Sequence, residues 1–161
     1  YGRSKLVGEQ GVLAAGGTYS ILRTSWVFSA HGSNFLKTML RLGSERDKLN
    51  IVADQFGGPT PARAISAACL SIAGQLVSSP SKSNVYHFSG KPDVSWADFA
   101  REIFRRADIE CDVEEIPSSA FPTPAKRPQN SRMDCSSLDV FGLDRPDWAT
   151  EIDVILRELG R

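Results

Sequence analysis

Apolar positions along this chain recur at two spacings, one near the helical period and one near the period of a strand, so helices and strands alternate. Residues 2–15 predict a helix with Leu6, Val12 and Leu13 as its apolar positions, closed by Gly16 and Gly17. Residues 19–28, YSILRTSWVF, are dense in β-branched and aromatic side chains and predict one strand. Asn34 is placed to cap a helix running to Leu42, with Phe35, Leu36, Met39 and Leu40 facing inward. Residues 49–53 form a short strand, and Gly57, Gly58, Pro59, Thr60 and Pro61 a turn. An alanine-rich helix follows over 62–76, then a polar loop over 78–84 and a strand over 85–89. Ser95 with Asp98 makes a capping box for a helix to 107 whose apolar side carries Trp96, Phe99, Ile103 and Phe104. Residues 112–116 read as a strand. Pro117, Pro122, Pro124 and Pro128 keep residues 117–133 out of any regular element. A last amphipathic helix covers 148–159.

This alternation predicts an α/β architecture. No repeat, low-complexity tract or composition shift divides the chain, and 161 residues can bury one sizeable core. Lys plus Arg and Asp plus Glu both number 19, so the formal charge is zero. Without a basic run, no nucleic-acid partner is expected. Cys69, Cys111 and Cys135 are far apart and form no CxxC pair, which suits a reduced, cytoplasmic protein better than a disulfide scaffold. His31 and His87 stand alone, and no metal site is expected. The chain holds no apolar run of about 18 residues, so no membrane span is expected, and no signal peptide can be read.

The first candidate chemistry is Tyr1 with Lys5. Four residues apart on a helix, a phenol and an ammonium share one face. A phenol ordinarily titrates near 10, and a nearby cation favours its ionised form. That makes it a usable general acid toward a carbonyl oxygen. The spacing alone is common on solvated helix faces. Its context adds weight: the next strand ends in Thr24, Ser25, Trp26 and Val27, and α/β sheets bind ligands at strand ends.

YGRSK with LVGE behind it, then LRTSWVFS, NFLKTMLRL, ADQFGGPT, VYHFSG, SWADFA and PAKRPQNSRMD, resemble in order and spacing the C-terminal half of the dTDP-4-dehydrorhamnose reductase family. That family belongs to the extended short-chain dehydrogenase/reductases. The resemblance implies the last part of a Rossmann-like NAD(P)-binding fold intermixed with a small α/β substrate-binding lobe. It implies reduction of the C4 keto group of dTDP-4-dehydro-L-rhamnose by NADPH or NADH. Tyr1 matches the catalytic proton donor. Lys5 matches the residue that tunes it and hydrogen-bonds the nicotinamide ribose, so both belong to the cofactor site as well. Trp26 matches a Trp placed against the nucleotide-sugar; its other reading is a core Trp on a buried strand.

Five residues at three places in the chain carry two readings each. Arg127, followed by Asn130, is either a pyrophosphate-binding guanidinium in the Pro-rich loop or a surface ion-pair partner. Asn34 is either a phosphate or ribose donor or simply the helix cap. Gln55 and Thr60 either meet substrate or shape the glycine turn. The glycine-rich dinucleotide cradle and the family's catalytic Ser/Thr have no counterpart here, so the sequence is expected to be a C-terminal portion, one fragment over 1–161, inactive and weak for NADPH by itself. Exposed apolar surface is expected where further sheet strands would pack. Some members of the family bridge dimers through a carboxylate-bound metal; no clustered carboxylates stand here, and a homodimer is left open. The alternatives are another nucleotide-sugar reductase or epimerase, or a non-catalytic regulatory subunit resembling the β subunit of methionine adenosyltransferase.

Overall fold

The computed structural model describes residues 1–125 and 127–161. In chain order the elements are helix α1 (Gly2–Ala15), strands β1 (Ser20–Arg23) and β2 (Val27–Phe28), helix α2 (Phe35–Glu45), strands β3 (Lys48–Val52), β4 (Phe56–Gly57) and β5 (Thr60–Pro61), and helix α3 (Ala62–Ser78). Strands β6 (Asn84–His87) and β7 (Val94–Ser95), helix α4 (Trp96–Arg106), strand β8 (Asp112–Ile116) and helix α5 (Trp148–Glu158) follow, with short 3₁₀ turns at Pro80–Lys82, Ser136–Phe141 and, within the Pro-rich stretch expected to hold no regular element, Ser118–Ala120. The fold is α/β. Parallel pairs join β1 to β6, β2 to β5 and β3 to β8, while β4 and β7 pair antiparallel.

The single strand expected over 19–28 is two strands. β1 runs beside β6, with Ile21 opposite Val85, whereas β2 runs beside β5, with Val27 opposite Thr60. Between them the chain must change partners. It does so at Trp26, whose φ of 51° lies in the left-handed region that strands and bulky side chains avoid.

Two cores form. In one, α2, α4 and α5 bury Leu36, Met39, Phe99, Ile103 and Ile152 against β3. In the other, α3 and β6 bury Ile72, Leu76 and Tyr86 against Leu138 and Phe141 of a 3₁₀ turn, Ser136–Phe141, that the sequence did not announce. The capping box of α4 is present: the Asp98 amide donates to Ser95 Oγ, and Asp98 Oδ2 accepts from the Ser95 amide.

A polar joint runs alongside. Thr60, fully buried, donates its hydroxyl to the Gly58 carbonyl at 2.9 Å and accepts from the Gly90 amide at 3.3 Å. Arg145 donates to the carbonyls of Ser89 and Gly90 and pairs with Asp93 at 2.6 Å. Trp148 Nε1 donates to the Pro92 carbonyl at 2.8 Å. Thr60 is therefore a structural residue, as its turn-shaping reading had it.

Apolar side chains are exposed on α1 and beside β1. Helix α1 buries none of its residues, and Leu6, Val7, Val12 and Leu13 stay 42–60% exposed. Leu22 of β1 with Ile72, Leu76 and Val77 of α3 lines an open groove of about 450 Å³. Among the described residues no helix is long and apolar enough to cross a membrane.

Candidate functional site

The first turn of α1 carries Tyr1 and Lys5 as neighbours. The Lys5 ammonium lies 5.5 Å from the centroid of the Tyr1 ring, and the Lys5 amide donates to the Tyr1 carbonyl at 3.2 Å. The phenol is 96% exposed, so its hydroxyl is open to any group brought against this helix face. The ammonium sits over the ring, a cation–π placement.

What ties this helix to the body is a residue pair that sequence reasoning missed. Glu9 accepts a two-pronged bond from Arg23, at 2.9 Å from Nε and 2.5 Å from a terminal nitrogen. Among the described residues no other α1 side chain hydrogen-bonds beyond the helix and its cap, Tyr1. The guanidinium holds the Glu9 carboxyl below its usual range. Arg23 ends β1, so the Tyr1–Lys5 helix is clamped to the strand end that leads into Trp26.

That strand end has two further features. Thr24 Oγ1 and Ser25 Oγ are buried with no hydrogen-bond partner. Buried hydroxyls are normally satisfied, so an orphan pair at a strand's C-terminal end fits a polar ligand group docking there. Beside them the Trp26 indole stacks on Trp96, centroids 3.5 Å apart and planes 7° from parallel. Gly57 packs against the same indole; a Cβ on it would fall 2.8 Å from Trp26 Cε2. The open aromatic face expected of Trp26 is thus occupied by Trp96, and the exposed part of the half-buried ring is what a ligand can meet. Contacts from Trp96 to Phe35 and from Phe35 to Phe99, at 4.5 and 5.5 Å, continue the stack into the core. Trp26 is therefore rigidly held, and it is not a core residue of a buried strand.

Residues 54–57 connect this platform to the Pro-rich loop. Asp54 accepts from the Ser118 amide at 2.9 and 3.0 Å and from the Ser118 hydroxyl at 2.5 Å. That hydroxyl, with the amide, holds the Asp54 carboxyl below the usual carboxylate range. Buried Gln55 donates to Ser118 Oγ at 2.9 Å. Phe56 donates its amide to the Gln129 carbonyl and accepts from the Ser131 amide, both at 2.8 Å. Arg127 is exposed and lines a groove of about 710 Å³ with Gln55, Ser118, Phe121, Pro122 and Gln129. Asn130 is exposed too, its side chain turned back to accept from the Arg132 amide at 3.1 Å. No salt bridge among the described residues involves Arg127.

Asn34 is fully engaged as a cap. Its Oδ1 accepts from the Lys37 amide at 3.2 Å, and its Nδ2 donates to the carbonyls of Ser29 and His31 at 2.8 and 3.3 Å. Asn34→Ala is expected to lower stability by about 1 kcal/mol, and Asn34→Asp, which keeps the cap acceptor but turns an oxygen onto the Ser29 and His31 carbonyls, to recover only part of that, in urea denaturation. If Asn34→Asp instead keeps stability and loses nucleotide affinity, the side chain serves a ligand.

The family model of the RmlD substrate binding domain matches residues 1–161. The chain belongs to this family. Curated relatives agree: a dTDP-4-dehydrorhamnose reductase of Sinorhizobium fredii is 46% identical over 155 residues, covering 92% of this chain and 52% of the relative. A solved dTDP-4-dehydrorhamnose reductase of Clostridium acetobutylicum superposes with a TM-score of 0.89 at 34% identity, covering all of this chain and 56% of that one. One from Bacillus anthracis, in complex with NADP, gives 0.87 at 34% identity, over 98% of this chain and 55% of that one. The chain spans about half the length of the relatives it matches.

Within this RmlD substrate binding domain, three sequence blocks converge on one neighbourhood: the strand end with Trp26, the 54–57 segment and the loop with Arg127. Glu9 and Arg23 link the helix of Tyr1 and Lys5 to that neighbourhood. Among the described residues, no His, Cys, Asp and Glu side chains gather in a group of three or more able to hold a metal.

Proposed function

We propose that the whole protein reduces the C4 keto group of dTDP-4-dehydro-L-rhamnose to dTDP-L-rhamnose, using NADPH or NADH, in the reducing cytoplasm. The observation that carries this reading is the Tyr1–Lys5 pair on one helix face, clamped by Glu9 and Arg23 to the strand end bearing Trp26. The names of its relatives and the NADP held by one of them support it.

The orphan hydroxyls of Thr24 and Ser25 fit a cofactor's polar groups at this strand end, and Tyr1 and Lys5 would hold its ribose side. When bound, that cofactor supplies the hydride. Tyr1 donates its phenolic proton to the C4 oxygen as negative charge develops there. Lys5, beside the ring, stabilises the phenolate that remains. Trp26, held by Trp96, orients the sugar nucleotide through its free edge, and Arg127 with Asn130 meets the phosphates from the Pro-rich loop.

Calorimetric titration with dTDP tests the substrate class. Saturable binding that UDP and GDP do not match is expected. Absence of dTDP binding, together with recovery of a stoichiometric synthetase partner in a pull-down, would favour the regulatory-subunit reading. The same preparations report whether the protein is a homodimer.

A further inference from the structure

The Pro-rich loop over 118–129 is fastened at both ends to three consecutive residues. At its start, Ser118 gives its amide and its hydroxyl to Asp54. At its end, the Gln129 carbonyl and the Ser131 amide bond Phe56. Arg132 then lays its guanidinium over the Phe56 ring, 4.7 Å from the centroid. Between the clips, Pro122, Pro124 and Pro128 restrict the backbone. Phe56 in turn pairs with Ser95, the cap of α4, and Gly57 lies under the Trp26 indole. One short segment therefore bonds both ends of the Pro-rich loop and touches the Trp26 indole.

Asp54 is the charged element of that segment, and both its oxygens are spent on Ser118. A carboxylate facing a diphosphate would repel it, whereas a carboxylate turned onto the loop's first residue keeps the loop in place. We propose that Asp54 is a positioning residue: it anchors the start of the Pro-rich loop, at Ser118, beside the groove that Arg127 lines, so that Arg127 meets the phosphate groups of the nucleotide-sugar. This rests on the reductase reading. A preformed loop lowers the ordering cost of binding, so its loss falls on affinity for the nucleotide-sugar.

The test compares the whole protein with its Asp54→Ala and Asp54→Asn variants, by hydrogen exchange and by steady-state kinetics. In Asp54→Ala, the hydrogen-bonded amides of Ser118, Ala120 and Phe121 are expected to exchange about tenfold faster, with the two cores unchanged. The KM for dTDP-4-dehydrorhamnose is expected to rise about tenfold, with kcat and the KM for NADPH within about twofold. Asp54→Asn, which keeps one carbonyl acceptor, recovers part of both effects. Unchanged loop exchange overturns the proposal, and so does a fall in kcat shared with both KM values. If Asp54→Ala fails to fold, Ser118→Ala removes the hydroxyl donor and is read by the same criteria. If the unaltered protein neither turns over the sugar nucleotide nor binds dTDP, the reductase reading fails and takes the ligand assignment with it. Faster loop exchange in Asp54→Ala would still separate that failure from a failure of the anchor.

Discussion

Replacing Tyr1 by Phe is expected to slow turnover by the whole protein about a thousandfold while leaving its stability unchanged. The substitution removes one hydroxyl from a side chain that is 96% exposed on this domain, so no packing within the domain depends on it. What it removes is the hydroxyl proposed as the proton donor, and proton transfer by a positioned group ordinarily contributes about a hundredfold to ten-thousandfold. A thousandfold loss corresponds to about 4 kcal/mol of transition-state stabilisation. Because the phenol acts on charge that develops during the reaction, kcat falls and the KM for the nucleotide-sugar changes little. Steady-state NADPH consumption measures it. Turnover close to normal in Tyr1→Phe would place the acid elsewhere and reduce Tyr1 and Lys5 to a surface cation–π pair.

The largest expected effect on stability belongs to a residue with no side chain. A Cβ on Gly90 would fall 2.0 Å from the Pro59 carbonyl oxygen, and one on Gly58 would fall 2.1 Å from the Gly90 oxygen. Both obstacles are backbone and sit inside the joint made by Thr60 and Arg145, so neither can swing aside. Gly90→Ala is therefore expected to cost about 3 kcal/mol or more, the upper range for overpacking. Gly74→Ala is the control, since it adds a methyl on an exposed face of α3 with nothing within 4 Å. It is expected to be neutral or mildly stabilising, because alanine suits a helix better. Urea denaturation of the two variants separates steric conflict from any general intolerance of substitution.

Much of this fold is legible because it is local. α2, α4 and α5 announce themselves through apolar positions three and four apart, and Asn34 and Ser95 mark two helix starts with side chains that bond within the next turn. The Tyr1–Lys5 pair is legible for the same reason. The break between β1 and β2 is not, because YSILRTSWVF reports an extended, apolar stretch and says nothing of which strand each half will join. Helix α1 misleads in a different way. Its apolar residues suggest a buried side, yet none is buried, because pattern does not name the surface that would cover them.

The site divides along the same line. Glu9 and Arg23 meet across 14 residues, and Asp54 and Ser118 across 64. A carboxylate and its distant donor carry no periodicity by which sequence could pair them. Trp26 was readable as a candidate from the strand end it occupies, but not the partner that covers its face, since Trp96 lies on the first turn of α4. The twin glycines of the FGGP turn were readable as a bend. Their tighter role, letting two backbones and an indole approach, emerges only from the packing.

The central claim, that this domain serves a C4 reductase acting on a nucleotide-sugar, is tested most directly by supplying the whole protein with dTDP-4-dehydro-L-rhamnose and NADPH and following product by NMR. The account predicts dTDP-L-rhamnose formed in step with NADPH oxidised. Intact NADPH and unchanged keto-sugar, with a folded protein in the tube, would contradict it.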